Sequence, residues 1–345
     1  MNPSLDPQPA PVQASPLGQT IALPAEPAAR ARTGQGRFQK TMGPLLQNPK
    51  VLVGAVILLA FTFIAILAPV IAPGDPGDIV ARRHLAPSGE HWFGTTGGGQ
   101  DVFAQTIWGA RLSLSIGVAV GLVTTAVGAL IGMSAGYFGG RVDDVLSMAM
   151  NVFLIIPSVP LLVVLSAFLG SGSPAYFIFV LGLTGWAWPA RVLRSQTLSL
   201  REKDFVSAAE ISGERSFRII FQDIFPNMTS IAVAGMFGSV IYAIGALTAL
   251  EFLGLGNPSV VSWGTNLYWA ANNGALLTGA WWTVLPAGFC VAIVAFAFAM
   301  VNYAVDEVTN PRLRAERETR HVLGRTRHAI RGSRATPVLR DQPAG

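Results

Sequence analysis

Long uncharged apolar runs alternate along the chain with polar, turn-rich segments. Val51 to Ala72 is the first run, 22 residues without a charge and closed by Pro69 and Pro73. At 1.5 Å per residue it covers about 33 Å, enough to cross a bilayer core. Residues 73–110 carry Pro73-Gly74, Pro76-Gly77 and Gly97-Gly98-Gly99 and read as a loop. Leu112 to Phe138 is the second span, and Gly139 to Asp144 a tight polar turn. Val145 to Ala190 holds no charge and is long enough for two spans. Gly170-Ser171-Gly172-Ser173-Pro174 divides it into a third span, about 146–169, and a fourth, about 175–190. Met228 to Leu250 is the fifth. Phe252 to Val305 is again uncharged, but its first half holds Asn257-Pro258-Ser259, Ser262, Asn266 and Asn272-Asn273. Irregular backbone of that kind cannot face lipid. Residues 251–279 therefore read as a loop with short interfacial helices, Trp263, Tyr268 and Trp269 lying in the headgroup zone. Trp281 to Ala304 is the sixth span; a seventh inside 252–279 is the alternative. The expected fold is an all-α membrane protein with six transmembrane helices.

Composition agrees. Of 345 residues, 51% are hydrophobic and 12% charged, against roughly 25% charged in a soluble domain. The formal charge of +5 raises nucleic-acid binding as a reading, but topology explains it better. Six spans place both ends and the loops 139–144 and 191–227 on one side. That side carries 21 of the 24 Lys and Arg residues, leaving Arg82, Arg83 and Arg111 on the other. The positive-inside rule puts both termini in the cytoplasm. Residues 1–45 form a basic cytoplasmic arm whose Pro- and Ala-rich start is expected to be disordered. Residues 46–111 hold the first span and the external loop, 112–305 a five-helix core, and 306–345 a basic tail that is either solvated or suited to anionic membrane lipid. The first apolar run starts too late and runs too long for a signal peptide. Cys290, the single cysteine, reads as a small hydrophobe. The second span repeats glycine at 117, 121, 128, 132 and 136, a flat face for close helix packing.

The loop at 191–227 is too long and too patterned for a connector. Phe205, Ala208, Ala209 and Ile211 fall at helical spacing, and Gly213 allows a break. Phe217, Ile220, Phe221 and Ile224 make a second apolar stripe, which Pro226 is expected to end before the fifth span. Two short amphipathic helices follow. They either pack on their own bundle and the headgroups or dock into a partner's groove.

The same segment, SAAEISGERSFRIIFQDIFPN, resembles the EAA loop of ATP-binding-cassette (ABC) importer permeases. Further blocks are similar to the second permease subunit of the dipeptide/oligopeptide/nickel importer family: HWFGTTGGGQDVFAQTIWGARLSLSIG at 91–117, AGYFGGRVDD at 135–144, LSLREKDFV at 198–206, EFLGLGNPSVVSWG at 251–264 and NPRLR at 310–314. The resemblance covers about residues 45–314. It implies the type I importer permease fold and a transport subunit rather than an enzyme, in the cytoplasmic membrane of a prokaryote. Its implied partners are a homologous second permease, two ABC ATPase subunits that use ATP and magnesium, and an external substrate-binding protein. This chain itself would bind no cofactor. The implied ATPase-coupling residues are Asp204, Phe205, Ser207, Ala208, Ala209, Glu210, Gly213, Glu214, Phe217 and Pro226. The implied cargo is a di- or oligopeptide, with nickel or another small solute as the alternative. The chain departs from the family pattern at several places: Thr96 and Gln100 replace an Asp and an Arg, Ser207 stands at the EAA glutamate position, and Ala149 and Asn151 stand where the third span usually carries an Arg and an Asp.

Other chemistry finds little support. A phosphate loop would need Gly-x-x-x-x-Gly-Lys-Ser/Thr, which the sequence lacks. His84 and His91 in the external loop read as a structural or solvated pair rather than a metal site. Glu251, at the outer end of the fifth span, either contacts substrate or binding protein or caps a helix. A secondary carrier usually carries ionisable groups within its spans, and none stands between the ends of these six. A membrane-embedded enzyme would need a catalytic cluster that is not found. Asn151, Ser158, Ser166, Thr248 and Asn302 are weakly polar candidates for lining a path.

Overall fold

The computed structural model describes residues 48–169 and 173–309, all within one compact unit. The expected disordered arm at 1–45, the basic tail beyond 309 and residues 170–172 of the expected break lie outside them. Among the described residues the fold is helical, with one isolated bridge between Thr95 and Asp101.

Helix α1 spans Pro49–Ile66 and α2 Ala68–Ile71. The first run is thus broken at Leu67, before its expected end at Ala72. Pro69 has no N–H for the Ala65 carbonyl, so the chain restarts as a new helix with the proline in its first turn. Helix α3 spans Val102–Phe138, beginning ten residues before the expected Leu112. Asp101 starts it, its Oδ1 accepting from the Ala104 N–H at 2.9 Å. The boundary drawn between 111 and 112 therefore falls inside this helix. The expected polar turn at 139–144 shrinks to one residue. Gly139, at φ +65°, reverses the chain, and α4 starts at once, spanning Gly140–Ile155.

The expected third span is not straight. Helices α4 and α5 (Ser158–Leu169) meet at 89° across Ile156-Pro157. Ile156 is extended, as the residue before a proline prefers. Helix α6 (Pro174–Gly185) meets α7 (Ala187–Arg201) at 45°. Pro189 cannot donate to the Gly185 carbonyl, which accounts for this bend. Helix α7 runs on through 191–201, so the polar loop is shorter than expected. Helix α8 spans Asp204–Ile211. Helix α9 runs unbroken over Ser216–Phe252, with a π-helical segment at Ile219–Ile224. Pro226 therefore does not end the second apolar stripe. The helix absorbs it by a register change, Phe225 N–H bonding to the Ile220 carbonyl five residues back. Helix α10 spans Trp263–Asn272 and α11 Leu285–Thr309. Among the described residues four helices are individually long and apolar enough to cross a membrane, or up to six if each bent pair is one span.

Helix α3 is the central element. Its glycine face is shared between two neighbours: Gly117 and Gly121 meet Ile244 and Val240 of α9, while Gly128, Gly132 and Gly136 meet Pro189, Ala190 and Thr197 of α7. The packing expected from the glycine spacing is present, divided between two partners. A Cβ at Gly132 would run into the Ala190 carbonyl oxygen, whereas one at Gly235 meets nothing within 4 Å. Backbone cannot swing aside as a side chain can, so Gly132→Val should cost at least about 1–3 kcal/mol. Its thermal midpoint in detergent is expected to fall by several degrees, while Gly235→Ala stays near wild type.

The outer end is closed by α10. Glu251 is 3% exposed, and its Oε2 accepts from Ser262 Oγ at 2.6 Å. Ser262 is the N-cap of α10 and shares a capping box with Thr265. Of the two readings left open for Glu251, the structure supports the cap. Trp263 is fully buried, not in the headgroup zone; its Nε1 donates to the Thr106 carbonyl at 3.1 Å. Asn266 Nδ2 donates to the Gln105 carbonyl at 3.2 Å. Polar atoms that looked interfacial are instead spent fastening α10 to α3. Nearby, the Thr96 and Gln100 side chains hydrogen-bond to each other as a neutral pair. His91 Nδ1 lies 2.7 Å from Asp101 Oδ2, so its partner is a carboxylate rather than His84. Among the described residues no three His, Cys, Asp or Glu side chains converge on a metal-sized site.

Candidate coupling site

The segment between α7 and α9 is built from both sides. Asp204 lies in the first turn of α8, where its charge suits the helix N-terminus. The helix stops in a Schellman motif: Gly213 N–H bonds to the Glu210 carbonyl at 3.0 Å and Glu214 N–H to the Ala209 carbonyl at 3.1 Å. Gly213 takes the left-handed position this motif needs, at φ +76°. The sharp break expected there is present. A Cβ at this position would meet nothing within 4 Å in this chain, so the glycine is required by its backbone angle and not by a neighbour.

The underside of the segment is fixed to the bundle. Val206, Ile219, Ile220 and Ile224 are buried in one cluster with Met133, Tyr137 and Leu193 of α3 and α7. Ala209 packs against the same cluster. Glu210 Oε1 accepts from Tyr137 Oη at 3.1 Å, and Glu214 pairs with Arg218 at 3.0 Å. The other face is bare. Phe205 is 41% exposed, Ile211 88% and Phe217 73%, with Ser207 and Ala208 exposed beside them. The second stripe packs on its own bundle through Ile220, Phe221 and Ile224 but leaves Phe217 exposed, whereas of the first only Ala209 packs there and Phe205, Ala208 and Ile211 are exposed. Pro226 lies apart, exposed within α9.

Val206, Ile219 and Tyr137 anchor the segment without standing among the stripe positions read from the sequence. Ile219 falls between the marked stripe positions, because the π segment shifts the side-chain register that a 3.6-residue period assumes. Tyr137 lies in α3, far away in sequence. The one signal for it is a hydroxyl at the end of an otherwise apolar helix.

A cavity of about 680 Å³ lies between α4–α5, α6–α7, α9 and α11. Ile156 and Pro157 line it at one helix break, Gly185 beside the other, and Tyr242 and Asn302 opposite. Of the weakly polar path candidates, Ser158 and Asn302 line this cavity. Asn151 does not; its Oδ1 accepts from Arg191 Nη2 at 2.5 Å.

Membrane-length helices around a cavity, with a braced but uncovered helical elbow at one end, define a multi-pass membrane transport subunit. The chain belongs to the family described as binding-protein-dependent transport system inner membrane component, whose sequence model matches residues 128–314. A second model, the N-terminal transmembrane domain of oligopeptide transport permease C, matches residues 36–87. The chain is 33% identical over 274 residues to a dipeptide transport system permease protein, DppC, of Bacillus subtilis, covering 78% of this chain and 84% of the relative. It is 32% identical over 271 residues to the oligopeptide transport system permease protein OppC of the same organism, covering 77% and 87%. A putative peptide permease protein of Brucella suis is 34% identical over 299 residues, covering 86% and 95%. The chain is thus an ABC-importer permease of the bacterial cytoplasmic membrane, and ATP hydrolysis lies in separate subunits. The family implies a second permease, ATPases and a substrate-binding protein.

Proposed function

We propose that this chain is one of two permeases in a peptide importer and that its α8–α9 elbow is the docking site of an ATPase subunit. In this reading each bent helix pair counts as one span, giving six, with both termini in the cytoplasm. Two ATPases supply ATP and magnesium chemistry, and an external binding protein delivers a di- or oligopeptide. Relatives named as dipeptide and oligopeptide permeases across more than three-quarters of the chain support the cargo. The observation that carries the coupling assignment is the division of one segment into a buried and an uncovered face. Val206 and Ile219 are fully buried, while Phe205, Ile211 and Phe217 are left for a partner. Asp204, Ser207, Ala208, Ala209, Glu210, Gly213 and Glu214 shape or edge that face; the start of α9, residues 216–225, braces it, with Pro226 just beyond. The cavity at the two helix breaks is this subunit's share of the path, its polar atoms too sparse to hold any one side chain tightly.

The test is to purify the chain in mild detergent with everything that remains bound, identify the subunits by mass spectrometry, and reconstitute the complex. A second permease, ATPases, and ATP-dependent uptake of labelled di- or oligopeptides are expected. Uptake of nickel without peptide would overturn the cargo assignment. A homodimer without ATPases, in a preparation that preserves such complexes, would overturn the docking assignment.

A further inference from the structure

Helices α1 and α3 leave a groove of about 510 Å³ between them, lined by Thr62, Ala65 and Ile66 on one side and Leu114, Val118 and Leu122 on the other. Its floor belongs to the bundle: Ala65 is buried in one cluster with Ala110 and Trp263, and Leu114 packs against it. Its rim is open, with Ile66, Val118 and Leu122 exposed. The Thr62 hydroxyl donates to the Leu58 carbonyl of its own helix at 2.7 Å, so the wall stays essentially apolar. From Arg111 to Leu122 the groove follows α3 for about 16 Å. That is the hydrocarbon depth of one leaflet, half of a core about 30 Å thick.

Arg111 stands at the end of this groove nearer the start of α3 and also borders a second space of about 650 Å³, lined by Asp75, Pro76, Trp108 and Ser259. The Trp108 indole N–H donates to the Ala72 carbonyl at 3.0 Å and holds the end of α2 against α3 there. Among the described residues the Arg111 guanidinium has no hydrogen bond and no ion pair. Asp75 lends Oδ1 to the Gly77 N–H at 2.8 Å, and its Oδ2 accepts nothing from the described residues. An apolar trough one leaflet deep thus leads to a free cation, and beyond it to a carboxylate in a polar space. A phospholipid carries the matching order of groups: acyl chain, phosphate, amine. The arginine fork suits phosphate oxygens. A head with negative charge alone would meet repulsion from Asp75.

We infer that the α1–α3 groove is a binding site for a phospholipid with an amine-bearing head, of phosphatidylethanolamine type. Arg111 takes the phosphate, Asp75 the ammonium, and one acyl chain lies between α1 and α3. The elbow packs on Tyr137 at the far end of α3, so this lipid belongs to the leaflet away from the elbow. It fills the gap beside Ile66, where α1 ends and the chain breaks at Leu67. The site needs only that these helices cross a membrane; it stands whether the cargo is a peptide or not and wherever the ATPase docks.

The test places the purified chain, with every subunit that stays bound, in lipid nanodiscs. These contain phosphatidylethanolamine or phosphatidylglycerol with a photoreactive group on one acyl chain, and crosslinked peptides are mapped by mass spectrometry. The ethanolamine probe should mark residues 62–66 and 114–122 more strongly than the glycerol probe. Arg111→Ala should cut that marking about fivefold or more, with marking elsewhere and the melting midpoint unchanged, and Arg111→Lys should retain part of it. Asp75→Asn should erase the preference between the two heads. Ala119→Leu fills the groove without touching either charged residue and should also lose the label, which a free phosphate site on Arg111 would not require. Unchanged marking in Arg111→Ala, or equal marking by both probes in the wild-type chain, overturns the inference. So does a groove that neither probe marks, since another protein would then cover it.

Discussion

Gly213→Val abolishes ATP-driven uptake while leaving a folded bundle in the membrane. The cost is conformational rather than steric. Nothing lies within 4 Å of a Cβ at this position, so a small side chain has room. What it lacks is an allowed backbone. At φ +76° an ordinary L-residue pays about 1–2 kcal/mol, and a β-branched one more. That penalty is small against the stability of the whole bundle, whose helices do not depend on this turn. It is large against a two-bond Schellman motif at the end of an eight-residue helix. The turn is therefore expected to give way first, carrying Glu214 and Phe217 out of position relative to Phe205 and Ile211. The series Gly213→Asn, →Ala and →Val separates dihedral from contact. Asparagine tolerates the left-handed region and should keep substantial uptake; alanine should fall between; valine should lose nearly all. Gly213→Asp is expected to fail as well, since it adds a charge at the centre of the docking face. Uptake and ATPase co-purification are measured for each, with the detergent melting midpoint as the control for folding. If valine transports like wild type, the turn geometry is irrelevant to coupling. If asparagine fails as badly as valine, the partner approaches Gly213 more closely than any side chain allows, and the conformational explanation falls.

Much of this design could be read in the sequence, and the failures share one cause. The six apolar runs, the glycine face of α3, the elbow and its break at Gly213 all follow from local pattern. Long-range partners do not. Trp263 looked interfacial because its neighbours are polar, yet its own indole N–H and the Asn266 amide donate to α3 carbonyls more than 150 residues away. The apolar pattern marks Pro226 as a stop and runs straight through Pro157 and Pro189, and the chain uses the three in different ways. Pro157 bends it by 89°, Pro189 sits in a 45° bend, and Pro226 is absorbed by a π segment inside a continuous helix. Composition marks the residue; only the packing around it decides which outcome costs least. The charge pattern misled in the same way. Arg191 and Arg194 looked like the start of a polar loop, but both are spent on α4, so α7 continues through them.

Ile211→Asp carries the second large expectation: the ATPase is lost with the permease otherwise intact. Ile211 is 88% exposed at the end of α8, and Phe217 is 73% exposed across the turn. Phe217 meets only the Phe221 ring, at 4.5 Å, and Ile211 is almost bare, so replacing either should leave the melting midpoint of the isolated chain nearly unchanged. Their worth appears only when a partner covers them. Burying one such side chain is worth about 1.5–3 kcal/mol. An aspartate in its place forfeits that and leaves a polar group without a partner at an apolar contact, at least about 1–3 kcal/mol on protein scales. A loss of roughly 3–5 kcal/mol weakens binding by two to three orders of magnitude or more. Phe217→Asp should do the same. The contrast is Val206→Asp, one turn away and fully buried against Tyr137 and Ile219. That change puts a charge into the permease's own core and should lower the melting midpoint even with no ATPase present. Titrating purified ATPase against each variant in detergent, and melting each alone, separates the two effects. Ile211→Asp and Phe217→Asp binding as tightly as wild type would mean that the uncovered face is not where the ATPase sits. The same loss of melting midpoint in all three would mean that the face is not free at all.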